Sequence, residues 1–564
     1  MLTSETRDEK VVQSHLRRAR LLGTVAATLV LPAVALVVLL RQLGSLPPIW
    51  AWYLDPTYPY LLNGALIVQG GTPGHTDHPG TSFQWLLGGV EWIVHLFRGN
   101  GLSLSADVVA NAEFYMNSSG GVLVGLFCVS LGYFGYRLTG AFGPVSGVVS
   151  VLLILAGLGV IGPWIMLLTP ESLVVTCAVF VLALLAPVIA DRAAQPRVLI
   201  PIMVGLLVAI GMTAKIVFLP MVLVLPFCLR WRPLAVAAGS VLVSASLILI
   251  PIYSEVDRML AWFFGVASNP GRYGDEPGTK WTVGQNLWSA AGQVGQLFQG
   301  FWIIMFLCLA ILTYSISRRP IRKSIRTQVP AVGLVLAIAA TLALGYKSFT
   351  ARDFVVLVPL VAVLAGLTLR NALTLLRSNA AGGGRLLRII PGACLVACLA
   401  LALLGVDAST QVIEGKAAGA TARVGASELL DESPANAWTA MSYGVQTPAS
   451  ALMFGDAYAR RNFASFIGER FPRQLEYSLW DRRLSGWDAD GTRMELGCAE
   501  VNTILESGRL NVVVADEYVG MLERPSTDRV AFSNGFDTAV SLVTPAEDDS
   551  PYTVFRITSC EAQS

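Results

Sequence analysis

Apolar runs of about 20 residues recur along this chain, and they constrain its fold more than any other feature. A helix of that length crosses a hydrocarbon core about 30 Å thick while pairing its own backbone N–H and C=O groups. Composition agrees: 54% of residues are hydrophobic, only 14% are charged, and the mean hydropathy is +0.60. A soluble protein carries about 25% charged residues. The chain reads as an α-helical polytopic membrane protein. Its first apolar run, Leu21 to Leu40, is too long for the core of a signal peptide, and no small-residue cleavage site follows it. It reads as a first transmembrane helix that stays attached. The preceding segment, 1–20, is polar and carries His15, Arg17, Arg18 and Arg20. Basic residues at this flank place the N-terminus in the cytoplasm.

The run from Thr81 to Phe97 decides the topology. It is moderately apolar, and it carries Gln84, Glu91, His95, Trp85 and Trp92. It can span, or it can lie in the interface as an amphipathic helix. With the interfacial choice, the later spans fall at 110–136, 141–162, 170–190, 197–214, 216–230, 233–253, 297–317, 328–346, 354–371 and 386–406. The inner breaks then hold Arg137, the Arg192/Arg197 and Arg230/Arg232 pairs, the Arg318–Arg326 cluster, and Arg370, Arg377, Arg385 and Arg388. A spanning 81–97 segment would move all of these outside, against the positive-inside rule. The expectation is therefore about eleven transmembrane helices with external juxtamembrane helices, an inner N-terminus and an outer C-terminus. The transmembrane domain covers 21–406, with 42–107 as its first external loop. The 216–230 segment fits least well, being short and containing Pro220 and Pro226.

The tail, 407–564, has 23 acidic and 13 basic residues. It alternates β-like runs (Leu510 to Ala515, Ala539 to Val543, Tyr552 to Ile557) with helix-like stretches around Ala457 to Phe466 and Cys498 to Ser507. It reads as a small α/β extracytoplasmic domain, large enough to bury a core. Six cysteines lie in apolar runs and read as small buried hydrophobes. Cys498 and Cys560 lie in the tail, where an oxidising compartment would permit a disulfide between them.

On the outer face of this topology, the stretch from Asp55 to Pro79 is the densest in chemistry. Asp55 follows the first span by about a dozen residues and can act as a general base or bind a metal. It can equally cap a helix that starts with Pro56 at its first position. His75, Asp77 and His78 can form a metal cluster or a hydrogen-bonded turn, and their tight packing between Gly74 and Pro79 favours the turn. Glu171, in Thr169-Pro170-Glu171-Ser172, opens a span; it is either a carboxylate favoured by the helix dipole or a site residue at a membrane edge. Lys215 and Arg352 are external cations in a chain that otherwise keeps its cations inside. Snorkelling is one explanation, and binding of an anion such as a lipid phosphate is the other. There is no Walker A sequence, no GxGxxG after a strand, no HExxH and no CxxC pair, so ATP-driven readings lack support.

These motifs together resemble the GT-C superfamily of integral-membrane glycosyltransferases, in the branch holding protein O-mannosyltransferases and the lipid A aminoarabinose transferase. Asp55 matches the acidic residue soon after the first helix. Asp77-His78-Pro79 matches a Glu-His-Pro or Glu-Lys-Pro element, with Asp for Glu. Thr169-Pro170-Glu171-Ser172 resembles the acidic motif of the second external loop, and Lys215 resembles the family's lysine between two membrane helices. The turn from Tyr346 through Lys347 and Arg352 precedes a span containing Pro359, as in the family. The resemblance implies a membrane glycosyltransferase of the plasma or inner membrane that uses a polyprenyl-phosphate-linked sugar on the extracytoplasmic face. The acceptor is a lipid, a glycan or a protein, and no nucleic acid is involved. Asp55 would be catalytic, while Asp77, His78, Glu171, Lys215, Tyr346, Lys347 and Arg352 would bind substrate. The single Asp55 stands where the mannosyltransferases have paired Asp-Glu, so a divalent metal stays an open alternative and no cofactor is certain. A lipid-linked glycan flippase and a non-catalytic scaffold of cell-envelope glycan assembly are the rival readings. Clean spans and the lack of a repeat weigh against the flippase.

Overall fold

The computed structural model describes residues 17–562 except 19, 53–54, 77–79, 269–291, 293, 297, 319–320, 346–350, 379–385, 432–436, 443–446, 479–482, 488–492, 516–528, 533–535 and 544–551. Helices dominate up to residue 431, and a mixed β-sheet follows. The chain divides into two compact units. The first comprises Met1–Gly44, Thr76–Phe83 and Ser119–Val412; the second comprises Ser45–His75, Gln84–Ser118 and Ile413–Ser564.

Among the described residues, six helices are long and apolar enough to cross a membrane. They are Arg20–Gly44, Ala112–Phe142, Pro170–Ala190, Trp231–Ile248, Arg352–Arg377 and Ile389–Thr421. A seventh crossing forms if Pro144–Ala156 and Leu158–Met166, bent by 69° from each other, are one broken span. Four shorter apolar helices, Leu199–Ala214, Ile216–Cys228, Phe301–Ser315 and Gln328–Leu344, fall where further spans are expected from the sequence. The Thr81–Arg98 helix belongs to neither group. The last membrane helix runs on to Asp431, so the boundary expected at 407 lies inside a continuous helix.

The first unit is built around Pro170–Ala190, which is buried along nearly its whole length. Leu199–Ala214 packs on it and, in turn, on Trp231–Ile248. The Leu357–Ser378 helix packs on Pro144–Ala156, and the Ser150 hydroxyl donates to the Ala362 carbonyl at 2.9 Å. Gly157, at the bend, allows this close approach: a Cβ there would lie 2.4 Å from the Val358 side chain. In an apolar solvent, such close packing and interhelical hydrogen bonds hold helices together.

Among the described residues of the second unit, eight strands form one sheet in the order β4-β3-β2-β1-β5-β8-β7-β6. They are β1 (Ala437–Ser442), β2 (Gln474–Ser478), β3 (Arg483–Trp487), β4 (Arg493–Glu495), β5 (Arg509–Ala515), β6 (Arg529–Phe532), β7 (Phe536–Val543) and β8 (Tyr552–Ala562). Central β1 is parallel to both neighbours, β2 and β5, as crossover helices require; the other pairings are antiparallel. The three expected strands appear as β5, β7 and β8. The helix expected near Ala457 to Phe466 is instead a turn between Pro448–Tyr458 and Ala464–Arg470. Arg460 and Arg461 have φ of 56° and 60° there, a left-handed backbone that ends a helix. The Cys498–Ser507 helix forms, and Cys498 is disulfide-bonded to Cys560 of β8 with their Cα atoms 5.5 Å apart. Val501 and Ile504 of that helix pack on Ala440, Leu475, Leu510, Val512 and Ile557.

Candidate active site

The first unit contains a compact cluster of buried charge. Glu171 occupies the first turn of Pro170–Ala190, where the helix dipole favours a carboxylate. Lys215 sits where the backbone breaks: Leu199–Ala214 ends, Lys215 is extended (φ −161°, ψ 141°), and a 3-10 turn, Ile216–Phe218, follows. That break turns its side chain out of the helical register. Its ammonium donates to Glu171 Oε1 at 2.5 Å and to Asp353 Oδ1 at 3.4 Å. Asp353 and Arg352 lie in the 3-10 turn Ala351–Phe354, and Arg352 Nε is 4.0 Å from the same Glu171 oxygen. The Glu171 and Lys215 side chains are 2% and 11% exposed, so this group is removed from water. An ammonium has three N–H donors. The described residues accept two of them, leaving one directed to an acceptor they do not supply.

Three separate chain segments thus converge on one ammonium. Glu171, Lys215 and Arg352 are brought together. Asp353, not singled out from sequence, completes the group; its only sequence signal is its place directly after Arg352 in a polar break between apolar runs. Tyr346, Lys347, Asp77 and His78 lie outside the described residues.

Asp55 belongs to the second unit, at an exposed turn before Thr57–Val68. It is not the N-cap of that helix. Pro56 takes that position with ψ of 17°, so the helix begins one residue later than its sequence signal suggests. The Asp55–Pro56 peptide is cis. His75 is buried, with its ring edge-on to Tyr60 (4.9 Å) and Tyr458 (5.1 Å) and its carbonyl accepting from Gln84 Nε2 at 2.8 Å. Asn63 Oδ1 accepts from the Gly74 N–H at 2.8 Å. These contacts favour the structural reading of His75. No group of three or more potential metal-ligating side chains occurs among the described residues.

The Thr81–Arg98 helix has inverted polarity. Gln84 and Glu91 are buried, whereas Trp85, Trp92, Ile93, Leu96 and Phe97 are exposed. An apolar exposed stripe with Trp in it suits a helix lying in the lipid interface. Both Glu91 oxygens are buried without a hydrogen-bond partner among the described residues, and burial pushes this carboxyl well above the usual range. Just beyond, buried Asp107 accepts from Asn100 (2.7 Å), Asn111 (2.8 Å), Tyr115 (2.5 Å) and Arg98 (3.2 Å), with His95 Nδ1 at 2.9 Å. Burial opposes its ionisation, but these partners win and hold it below the usual carboxylate range. This saturated carboxylate ties the end of the Thr81–Arg98 helix to Leu104–Ala110.

No family model and no curated protein matches the chain. Its fold is similar to that of a solved structure of ArnT from Cupriavidus metallidurans bound to undecaprenyl phosphate. The identity is 12% and the TM-score 0.47, over 94% of this chain and 98% of that one. The same enzyme in its apo state gives 13% and 0.45, over 94% and 97%. At this identity no residue correspondence is carried across.

Proposed function

We propose that the protein is a GT-C-type membrane glycosyltransferase that uses a polyprenyl-phosphate-linked sugar at the extracytoplasmic face. The observation that carries this reading is the buried Lys215 ammonium, one of whose donors has no acceptor among the described residues, with Arg352 beside the same Glu171 oxygen. A lipid phosphate is the acceptor such a donor suits at a membrane edge. Arg352 and Lys215, with Lys347 and Tyr346, bind the donor phosphate and stabilise the charge that builds on it as it leaves. Glu171 is part of that site. Asp55 is the general base toward the acceptor hydroxyl, and Asp77 and His78 contact acceptor or sugar. The disulfide supports an oxidising compartment for the tail, and hence the outer C-terminus expected from the charge pattern.

One feature shared with transporters is the broken span at Gly157. It has no counterpart related by a repeat in the sequence, so it does not raise the flippase reading above transfer. The test uses the full-length protein in liposomes with a radiolabelled polyprenyl-phosphate sugar. Asp55→Asn is expected to lower transfer by about a hundredfold or more while donor binding persists. Full transfer by this variant would remove Asp55 from the mechanism.

A further inference from the structure

Glu113, in the first turn of Ala112–Phe142, takes no part in the proposed chemistry, yet three donors converge on its carboxylate. Oε2 accepts from the Ile49 N–H at 3.1 Å. Oε1 accepts from the Trp50 N–H at 3.3 Å and from the Tyr58 hydroxyl at 2.9 Å. Ile49–Ala51 is a 3-10 turn, and the first N–H groups of a helical turn have no partner within it. A carboxylate suits them because it can accept at about four positions, and bonds to an ionised acceptor are about twice as strong as neutral ones. Ile49 and Trp50 precede Asp55 by six and five residues, and Tyr58 follows it by three. One carboxylate therefore joins the two flanks of the turn that carries Asp55. Each flank has a second hold within the same unit. Arg423 Nη1 donates to the Ala51 carbonyl at 3.2 Å, and Gly455 lies against Tyr58, where a Cβ would be 2.9 Å from the Tyr58 carbonyl oxygen.

The geometry points to Glu113 as a positioning residue: by clamping Ile49, Trp50 and Tyr58 it sets where the Asp55 carboxylate stands. This rests on the proposal that Asp55 is the general base. A base takes a proton only within hydrogen-bond reach, about 2.6–3.2 Å from the hydroxyl it serves. A misplacement of about 1 Å costs about a hundredfold in rate. Asp55 is exposed at a turn, so burial does not fix it, and its place depends on how the flanks are tied. Pro56 removes one backbone rotation between Asp55 and Tyr58, which passes the constraint at Tyr58 back toward Asp55. Glu113 touches neither donor nor acceptor in this role and acts only through the carboxylate it places.

Two measurements on the full-length protein in liposomes separate the clamp from the base. A nitroxide attached through Asp55→Cys reports the order of the turn, after subtraction of the signal from protein without that cysteine. Adding Glu113→Gln or the milder Tyr58→Phe is expected to sharpen its spectrum, and a label equally immobile in both variants overturns the clamp. Transfer is then measured from undecaprenyl phosphate carrying a radiolabelled hexose, per mole of folded protein. Glu113→Gln should lower kcat by about tenfold with the donor KM unchanged, and Tyr58→Phe should lower it less. In the Asp55→Asn background the same substitutions should lower the residual rate by less than about twofold, because the group they place is already gone. Native kcat in both variants, or an equal loss in both backgrounds, overturns the inference while leaving Asp55 as the base; equal loss is what a merely structural role gives. Full transfer by Asp55→Asn alone removes the base reading, and this inference with it, whatever the label shows.

Discussion

Lys215→Met removes the ammonium from a pair that is 2.5 Å long and almost wholly buried. The methionine fills similar space, so the lost volume is small and the cost is electrostatic. Glu171 is left as an uncompensated buried carboxylate, with Arg352 only at 4.0 Å. Breaking a buried pair from one side costs about 3–5 kcal/mol. Glu171→Gln alone should cost less, about 1–3 kcal/mol, because Asp353 at 3.4 Å still holds the ammonium. Together, Glu171→Gln/Lys215→Met leaves neither charge of the pair, and replacing a buried ion pair by uncharged groups is often close to neutral. The double variant should thus be more stable than Lys215→Met by about 2 kcal/mol or more, a coupling well outside the scatter of independent sites. Unfolding free energies from denaturant titration of the full-length protein in mixed micelles provide the cycle. Additive losses, with the double variant the least stable of the set, would refute the claim that these side chains form one electrostatic unit.

Two predictions concern the second unit. Asp456 is fully buried; burial raises its carboxyl to about 6, despite the Phe463 N–H donating to it at 2.8 Å. The folded state therefore binds the proton more tightly than the unfolded chain does. Stability is greatest below the unfolded pKa near 4 and is lost as pH rises to about 6, by about 3 kcal/mol in all. Asp456→Asn should remove this slope in thermal melts between pH 4 and pH 7, and an unchanged slope would show that Asp456 is not its source. The disulfide closes a loop of 62 residues, so Cys498→Ser should destabilise the domain by about 4 kcal/mol on chain-entropy grounds. Thiol labelling of the native protein under non-reducing conditions should leave Cys498 and Cys560 unmodified.

The large-scale architecture could be read from the chain because its cause is one-dimensional. Apolar run length specifies where helices cross, and the distribution of arginines chose the interfacial place for Thr81–Arg98. The exposed Trp92, Ile93, Leu96 and Phe97 in the structure agree with that choice. In the tail, β5, β7 and β8 were visible as short β-branched runs. The order of the sheet was not, because β1 gains its central place only by pairing with segments far along the chain. The turn at Arg460 and Arg461 was hidden for a local reason: neither residue is a glycine, yet both take a left-handed backbone.

The site was legible only in part, and the reason is physical. Lys215 and Arg352 stood out because the expected topology puts them on a face where it has few other cations. Glu171 stood out as an acid opening an apolar helix. Each is a departure from a pattern, and such departures show in sequence. Asp353 departs from nothing, since an acid in a polar break is ordinary; it acquires meaning only when a chain 138 residues away places an ammonium 3.4 Å from it.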